Sequence, residues 1–177
     1  MNKKELRAAI RQQKRAMTEE EITAKSIRLG ELFADSDAYR KADTIYGYLP
    51  YNQEVRTVPM LEQALRDGKK VAVPKCYGDE MRFIYMDDLS KVAPGYADIP
   101  EPIADDPVAE DKTALVLMPG MAFTEKGDRM GYGGGFYDKF LAAEPEHPTV
   151  ALCYAFQMVE SLPTEEYDIP VDRVVWA

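Results

Sequence analysis

Histidine is nearly missing from this chain. One histidine, His147, in 177 residues leaves a Ser-His-Asp mechanism or a histidine-rich zinc site almost nothing to build on. Its Glu-His-Pro setting predicts a surface loop. Cysteine is scarce too: Cys76 and Cys153 lie far apart with no C-x-x-C, which suits reduced thiols in a cytoplasmic protein. No stretch approaches the roughly 20 apolar residues that a membrane span requires. The basic start has no apolar run after it, so no secretory signal is expected. Bases are the minority, 22 against 31 acids, and the net charge of −9 argues against general nucleic-acid binding. Any phosphate binding must then rest on local positive charge. Apolar content of 46% and charged content of 30% suit a soluble protein. The length predicts one domain, residues 1–177, with one sizeable core. A monomer acting on small molecules, with no nucleic acid or membrane partner, is the expectation.

Positive charge is concentrated at the start. The first fifteen residues hold six bases and one acid. Residues 2–17 read as a helix with Leu6, Ala9, Ile10 and Met17 on one side, while Lys4, Arg7, Arg11 and Lys14 share another. Such a stripe is either a solvated face or an anion site. Thr18 and Glu21 form a capping box that opens a second helix, with Ile22, Leu29, Leu32 and Phe33 inward. Strands are predicted at 44–49, 71–73, 82–85, 115–117, 150–154 and 173–176, with a helix over 57–67 closed by Gly68. Residues 87–111 carry eight acids and one base, and read as an ordered surface crossing pinned by Ile99, Ile103 and Val108. Alternating strands and helices predict an α/β fold with a mainly parallel central sheet flanked by helices.

The densest signal is Met118 to Leu141, MPGMAFTEKGDRMGYGGGFYDKFL. The apolar strand 115–117 runs into Pro119-Gly120, and Arg129 precedes Gly131, Gly133, Gly134 and Gly135. A helix opens at Phe136-Tyr137-Asp138. Strand, glycine loop and helix start bring backbone N–H groups close to an anion, and the helix dipole favours it. Arg129 is the candidate phosphate clamp and Asp138 the candidate metal ligand. No G-x-x-x-x-G-K-[ST] occurs, and Phe136 stands where the dinucleotide fingerprint wants glycine. Taken alone the loop is also compatible with a flexible turn, and Asp138 with a complement to the helix dipole. Met118, Met121, Phe123 and Met130 flank the loop and are core or ligand-facing.

RMGYGGGFYDKFL after MPGMAF resembles the hallmark of the 5-formyltetrahydrofolate cyclo-ligases. Further blocks resemble that family in its order. They are Lys3-Lys4-Glu5-Leu6-Arg7, Tyr48-Leu49-Pro50 with Glu54, Ile99-Pro100-Glu101-Pro102, and Leu162-Pro163 with Asp168. The resemblance implies a fold akin to the sugar-phosphate isomerase and coenzyme A transferase-like α/β group. It also implies ATP-driven conversion of 5-formyltetrahydrofolate to 5,10-methenyltetrahydrofolate, releasing ADP and phosphate through a phosphorylated formyl group. On that likeness Arg129 and Tyr137 are the expected catalytic residues. Lys3, Lys4, Arg7, Arg129, Gly131, Gly133–Gly135, Phe136 and Tyr137 would take ATP. Leu49, Glu54, Tyr132, Gly133–Gly135 and Phe136 would take the folate. Asp138 and Asp168 would hold Mg²⁺. The residues themselves leave blander options open: a solvated Glu54, an Asx-type turn at Asp168 and core packing for Tyr137. Another small acceptor for the nucleotide, or binding without turnover, also remains open.

Overall fold

The computed structural model describes residues 1–177. In chain order the elements are α1 (Lys3–Arg15), α2 (Glu19–Ala34), α3 (Asp37–Lys41), β1 (Thr44–Tyr46), α4 (Val58–Arg66), β2 (Lys70–Tyr77) and β3 (Glu80–Tyr85). Then follow β4 (Val92–Pro94), β5 (Pro100–Pro102), β6 (Leu115–Met118), β7 (Ala122–Phe123) and β8 (Arg129–Met130). The chain closes with α5 (Phe136–Ala143), β9 (Thr149–Cys153) and β10 (Arg173–Trp176).

Six strands form one sheet in the order β10-β9-β6-β1-β2-β3, parallel throughout except for the antiparallel edge strand β3. The sheet is buried on both faces, and its strands split their side chains by twos. Ile45, Val71, Val73, Leu115, Leu117, Val150 and Leu152 join a core with Leu29 and Phe33 of α2 and Leu61 of α4. Their neighbours Tyr46, Ala72, Val116, Met118, Ala151 and Cys153 face Leu141 of α5 and Phe83. A smaller cluster of Ile10, Met121, Ala122 and Met130 seats α1 against the β7–β8 hairpin. No helix is long and apolar enough to cross a membrane.

The expected elements are present, with instructive differences. The ladder of β1 stops at Tyr46, and the next residues leave the sheet towards Pro50 instead of continuing as strand. Strand β2 runs to Tyr77 because the hairpin with β3, turning at Gly78 (φ +65°), extends its pairing. Helix α3 was not expected; Ser36 Oγ caps it by accepting from Tyr39 N at 3.2 Å. His147 is not on a surface loop. It is 5% exposed, with Nδ1 2.7 Å from the Ala114 carbonyl, Nε2 2.8 Å from Glu144 and its ring stacked on Phe140. Methionines 118, 121 and 130 and Phe123 are all buried.

The 87–111 crossing is an ordered strap; of the expected pins Val108 holds and Ile103 does not, and further fastenings appear. Ile103 is 63% exposed. The antiparallel ribbon β4–β5 is held by the buried Glu101 carboxylate, which accepts from Cys76 N (3.0 Å) and Tyr96 N (3.4 Å). Gly95 permits this, since a Cβ there would lie 2.2 Å from the carboxylate. Lys75 adds an ion pair to Asp105 at 3.0 Å, and Val108 bridges to Ile84.

Candidate active site

Parallel sheets collect ligands at the carboxyl ends of their strands. Here the chain leaving β1 supplies Tyr48 to Glu54, the chain leaving β6 leads through the β7–β8 hairpin to the glycine loop, and β2 contributes Pro74 and Cys76. Helix α1 lies across the opening. The result is a cleft of about 630 Å³, well within the size of small-molecule sites.

The glycine loop forms one wall. Gly133 (φ +101°) and Gly135 (φ +70°) adopt left-handed backbone that side chains disfavour. Gly135 caps α5, and no side chain satisfies the first-turn N–H groups. They are therefore free donors at the positive end of a helix.

Arg129 lies under this loop with 6% of its side chain exposed. Its Nη1 donates to the Pro119 carbonyl at 3.0 Å, its Nη2 lies 3.4 Å from Asp138, and the guanidinium stands 5.9 Å from the Tyr137 ring centre. Its Nε is buried and has no partner, as is the Nε of Arg7 across the cleft. Both arginines line the cleft, and each keeps one buried donor without a partner, so neither guanidinium is fully satisfied by the protein itself. Asp138 also ties down the C-terminal segment, its Oδ1 accepting from Ile169 N at 3.1 Å.

Opposite lies a mixed apolar and acidic wall. Tyr48 and Leu49 are buried, and Glu54 extends beside them. Its Oε1 accepts from Tyr51 N at 2.8 Å and its Oε2 from the Tyr132 hydroxyl at 3.1 Å. Burial pushes the Glu54 carboxyl above its usual value, while Lys14 opposes that shift. Burial also drives the phenols of Tyr137 and Tyr48 far up, with Glu54 adding to both, so each stays protonated.

Helix α1 supplies the basic side. Lys3, Arg7, Arg11, Lys14 and Arg15 line the cleft. Lys4 does not; its side chain is exposed, so the geometry gives no support to a role for it. At about 100° per residue, Lys3, Lys14 and Arg7 lie roughly 20°, 40° and 60° from the inward Ile10, and Lys4 about 120°. All other expected site residues meet in the cleft: Leu49, Glu54, Arg129, Gly131, Tyr132, Gly133, Gly134, Gly135, Phe136, Tyr137, Asp138 and Asp168. Lys14, Tyr48 and Tyr96 join them without having been expected, although the shared basic face already pointed to Lys14. Tyr96 meets Phe136 edge-on at 5.1 Å.

No group of three or more His, Cys, Asp or Glu side chains could hold a metal ion unaided. Asp168 Oδ2 accepts from Glu165 N at 2.7 Å, a local turn contact. Asp138 and Asp168 nevertheless line the same cleft as the glycine loop. That donor set fits Mg²⁺ carried on phosphate oxygens, which needs only one or two carboxylates.

A family model described as the 5-formyltetrahydrofolate cyclo-ligase family matches residues 1–177. The chain belongs to that family. The 5-formyltetrahydrofolate cyclo-ligase of Escherichia coli (strain K12) is 32% identical over 173 residues, covering 94% of this chain and 95% of its own. The mouse protein of the same name is 25% identical, covering 98% and 93%. The NMR structure of the Aquifex aeolicus 5,10-methenyltetrahydrofolate synthetase superposes with a TM-score of 0.86 at 28% identity, covering 99% of this chain and 90% of that one. The cyclo-ligase motif residues Arg129 to Asp138 are thus the glycine-loop wall just described, and the chain is an enzyme of this family.

Proposed function

We propose that the chain converts 5-formyltetrahydrofolate to 5,10-methenyltetrahydrofolate at the expense of ATP, releasing ADP and phosphate. The observation that carries this reading is the pairing of two walls in one cleft. The basic side chains of Arg7 and Arg129 and an uncapped helix start line the same cleft as the carboxylate and apolar wall of Glu54, Tyr48 and Leu49. One wall suits a triphosphate and the other a flat, N–H-rich pterin.

The formyl oxygen is a poor leaving group. Its attack on the γ-phosphorus breaks the bond to ADP and makes that oxygen part of a phosphate ester. N10 then attacks the formyl carbon and releases its proton, the five-membered ring closes, and the carbon–oxygen bond breaks as inorganic phosphate departs with the oxygen. Such chemistry needs alignment and charge neutralisation more than a protein nucleophile. Lys3, Arg7, Arg129 and the N–H groups of Gly131 and Gly133–Phe136 would meet the transferring phosphoryl charge. Tyr137, protonated at working pH, would position the reacting groups as a hydrogen-bond donor. Glu54 would accept from the ring N–H groups, with Leu49, Tyr132 and Phe136 against the ring faces. Asp138 and Asp168 would hold Mg²⁺, which supplies further neutralisation of phosphate charge. The free thiols of Cys76 and Cys153 suit a cytoplasmic enzyme working as a monomer on small molecules.

The test is absorbance at the methenyl-folate band after mixing protein, Mg²⁺, ATP and 5-formyltetrahydrofolate. The band grows only when ATP is present. Growth without ATP, or none with folate bound, overturns the reading.

A further inference from the structure

Lys14 is a side chain that the chemistry above leaves without a task. It is 7% exposed, although it belongs to the basic face of a surface helix. A lysine ammonium is rarely buried unless something requires its charge. Its Nζ donates to the Tyr132 hydroxyl at 3.2 Å, and that hydroxyl donates to Glu54 Oε2 at 3.1 Å. The direction of the relay is fixed. An ammonium can only donate and a carboxylate can only accept, so the phenol proton must point at Glu54. Three segments far apart in the chain meet in this relay: helix α1, the glycine loop and the loop after β1.

The other groups around Glu54 cannot replace it. Tyr51 offers only its backbone N–H. The phenols of Tyr48 and Tyr137, and that of Tyr154 (pushed up to about 12 by burial), stay neutral. Arg129 faces Tyr132 but is engaged by Pro119 and Asp138. Arg56 spends its guanidinium on the Asn52 and Glu54 carbonyls and on Glu19. The thiol of Cys153 beside Lys14 is itself held protonated by burial. Lys14 is thus the one ammonium linked to the carboxylate through the network.

We propose that Lys14 is a positioning residue: through Tyr132 it aims the Glu54 carboxylate at the ring N–H groups of the folate and draws the glycine loop against α1. This rests on the reading of Glu54 as the folate acceptor. Burial favours protonated Glu54 and Lys14 resists it, so loss of Lys14 moves the acid limb of folate affinity to higher pH. Burial likewise lowers the Lys14 value, and Glu54 holds it up.

The experiment is titration of the full chain with 5-formyltetrahydrofolate, without ATP, between pH 5.5 and 8. Lys14→Met weakens binding roughly tenfold, the scale of a lost hydrogen bond in a charged network. Tyr132→Phe reproduces the shifted acid limb with the helix untouched, and Lys14→Arg restores most of the affinity. In a Glu54→Gln background, Lys14→Met adds little. Equal losses in both backgrounds, or an unmoved acid limb in Tyr132→Phe, overturn the positioning role. If Glu54→Gln alone leaves folate affinity unchanged, the underlying assignment of Glu54 fails, and the role of Lys14 with it.

Discussion

Arg129 distributes its donors unevenly. Nη1 and Nη2 are engaged inside the protein, whereas Nε is buried with nothing to meet. The first two contacts hold the guanidinium in place at the wall of the cleft, with its positive charge only partly offset by Asp138. Gly131 permits the arrangement, because a Cβ there would lie 2.9 Å from Nη1. Arg129→Ala therefore lowers turnover by about 10²–10³, the cost of losing one well-aimed donor to developing charge. Near-UV circular dichroism stays native, since the surrounding sheet core does not depend on this side chain. Lysine does not rescue the loss, as it lacks the planar fork that reaches Pro119 and Asp138 together. Turnover within a few-fold of the parent in Arg129→Ala would remove the residue from the mechanism.

The β4–β5 strap is an element whose hold can be read chemically. Burial, with Glu101 adding, pushes the Cys76 thiol up to about 11, so at pH 8 it is almost wholly protonated. Alkylation by iodoacetamide at pH 8 is then expected about 10² slower than for a free thiol of ordinary pKa, because only the thiolate reacts. Glu101→Gln removes the charge and weakens the bond to Cys76 N, so it speeds alkylation; equal rates would show that Glu101 does not hold the strap. The strap itself was legible in sequence, but its fastening was not. Ile103 looked like a pin, yet the work falls to a carboxylate whose partner lies 25 residues away. The same holds for His147, whose polar neighbours suggested a surface and whose anchor, Ala114, is 33 residues distant. Strands β6 and β9, read as 115–117 and 150–154 and found at Leu115–Met118 and Thr149–Cys153, were legible because burial on both faces leaves a continuous apolar run. The glycine-loop wall of the cleft was equally legible as a unit, since the glycines, Arg129 and Asp138 lie within ten residues of one another. Lys14 was legible only as part of a basic helix face; its burial was not, because that depends on Tyr132 and Glu54 arriving from elsewhere.

At the scale of the molecule, charge and topology pull in opposite directions. The chain carries −9, yet Lys3, Arg7, Arg11, Lys14, Arg15 and Arg129 surround a cleft with only Glu54, Glu101, Asp138 and Asp168 as acids. Beyond a Debye length of about 8 Å at physiological salt, the net charge is largely screened, and an approaching anion senses the local bases. A nucleotide bound as proposed would touch α1, the glycine loop and the start of α5, which are joined only through the fold. Such a ligand binds the native state and not the unfolded chain. At one hundred times its dissociation constant it adds about 2.7 kcal/mol of stability. For a chain of this size that is a rise in melting temperature of about 5–10 °C. We expect this shift with Mg²⁺-ATP, and a smaller one as salt rises from 50 to 500 mM, because the outer bases Arg11 and Arg15 are screened. Lys3→Ala with Arg7→Ala should abolish most of it without lowering the melting temperature of the free protein by more than a few degrees, since neither side chain belongs to the cluster that seats α1. A full shift in that double variant would mean that α1 only covers the cleft and that the nucleotide is held by the glycine loop alone.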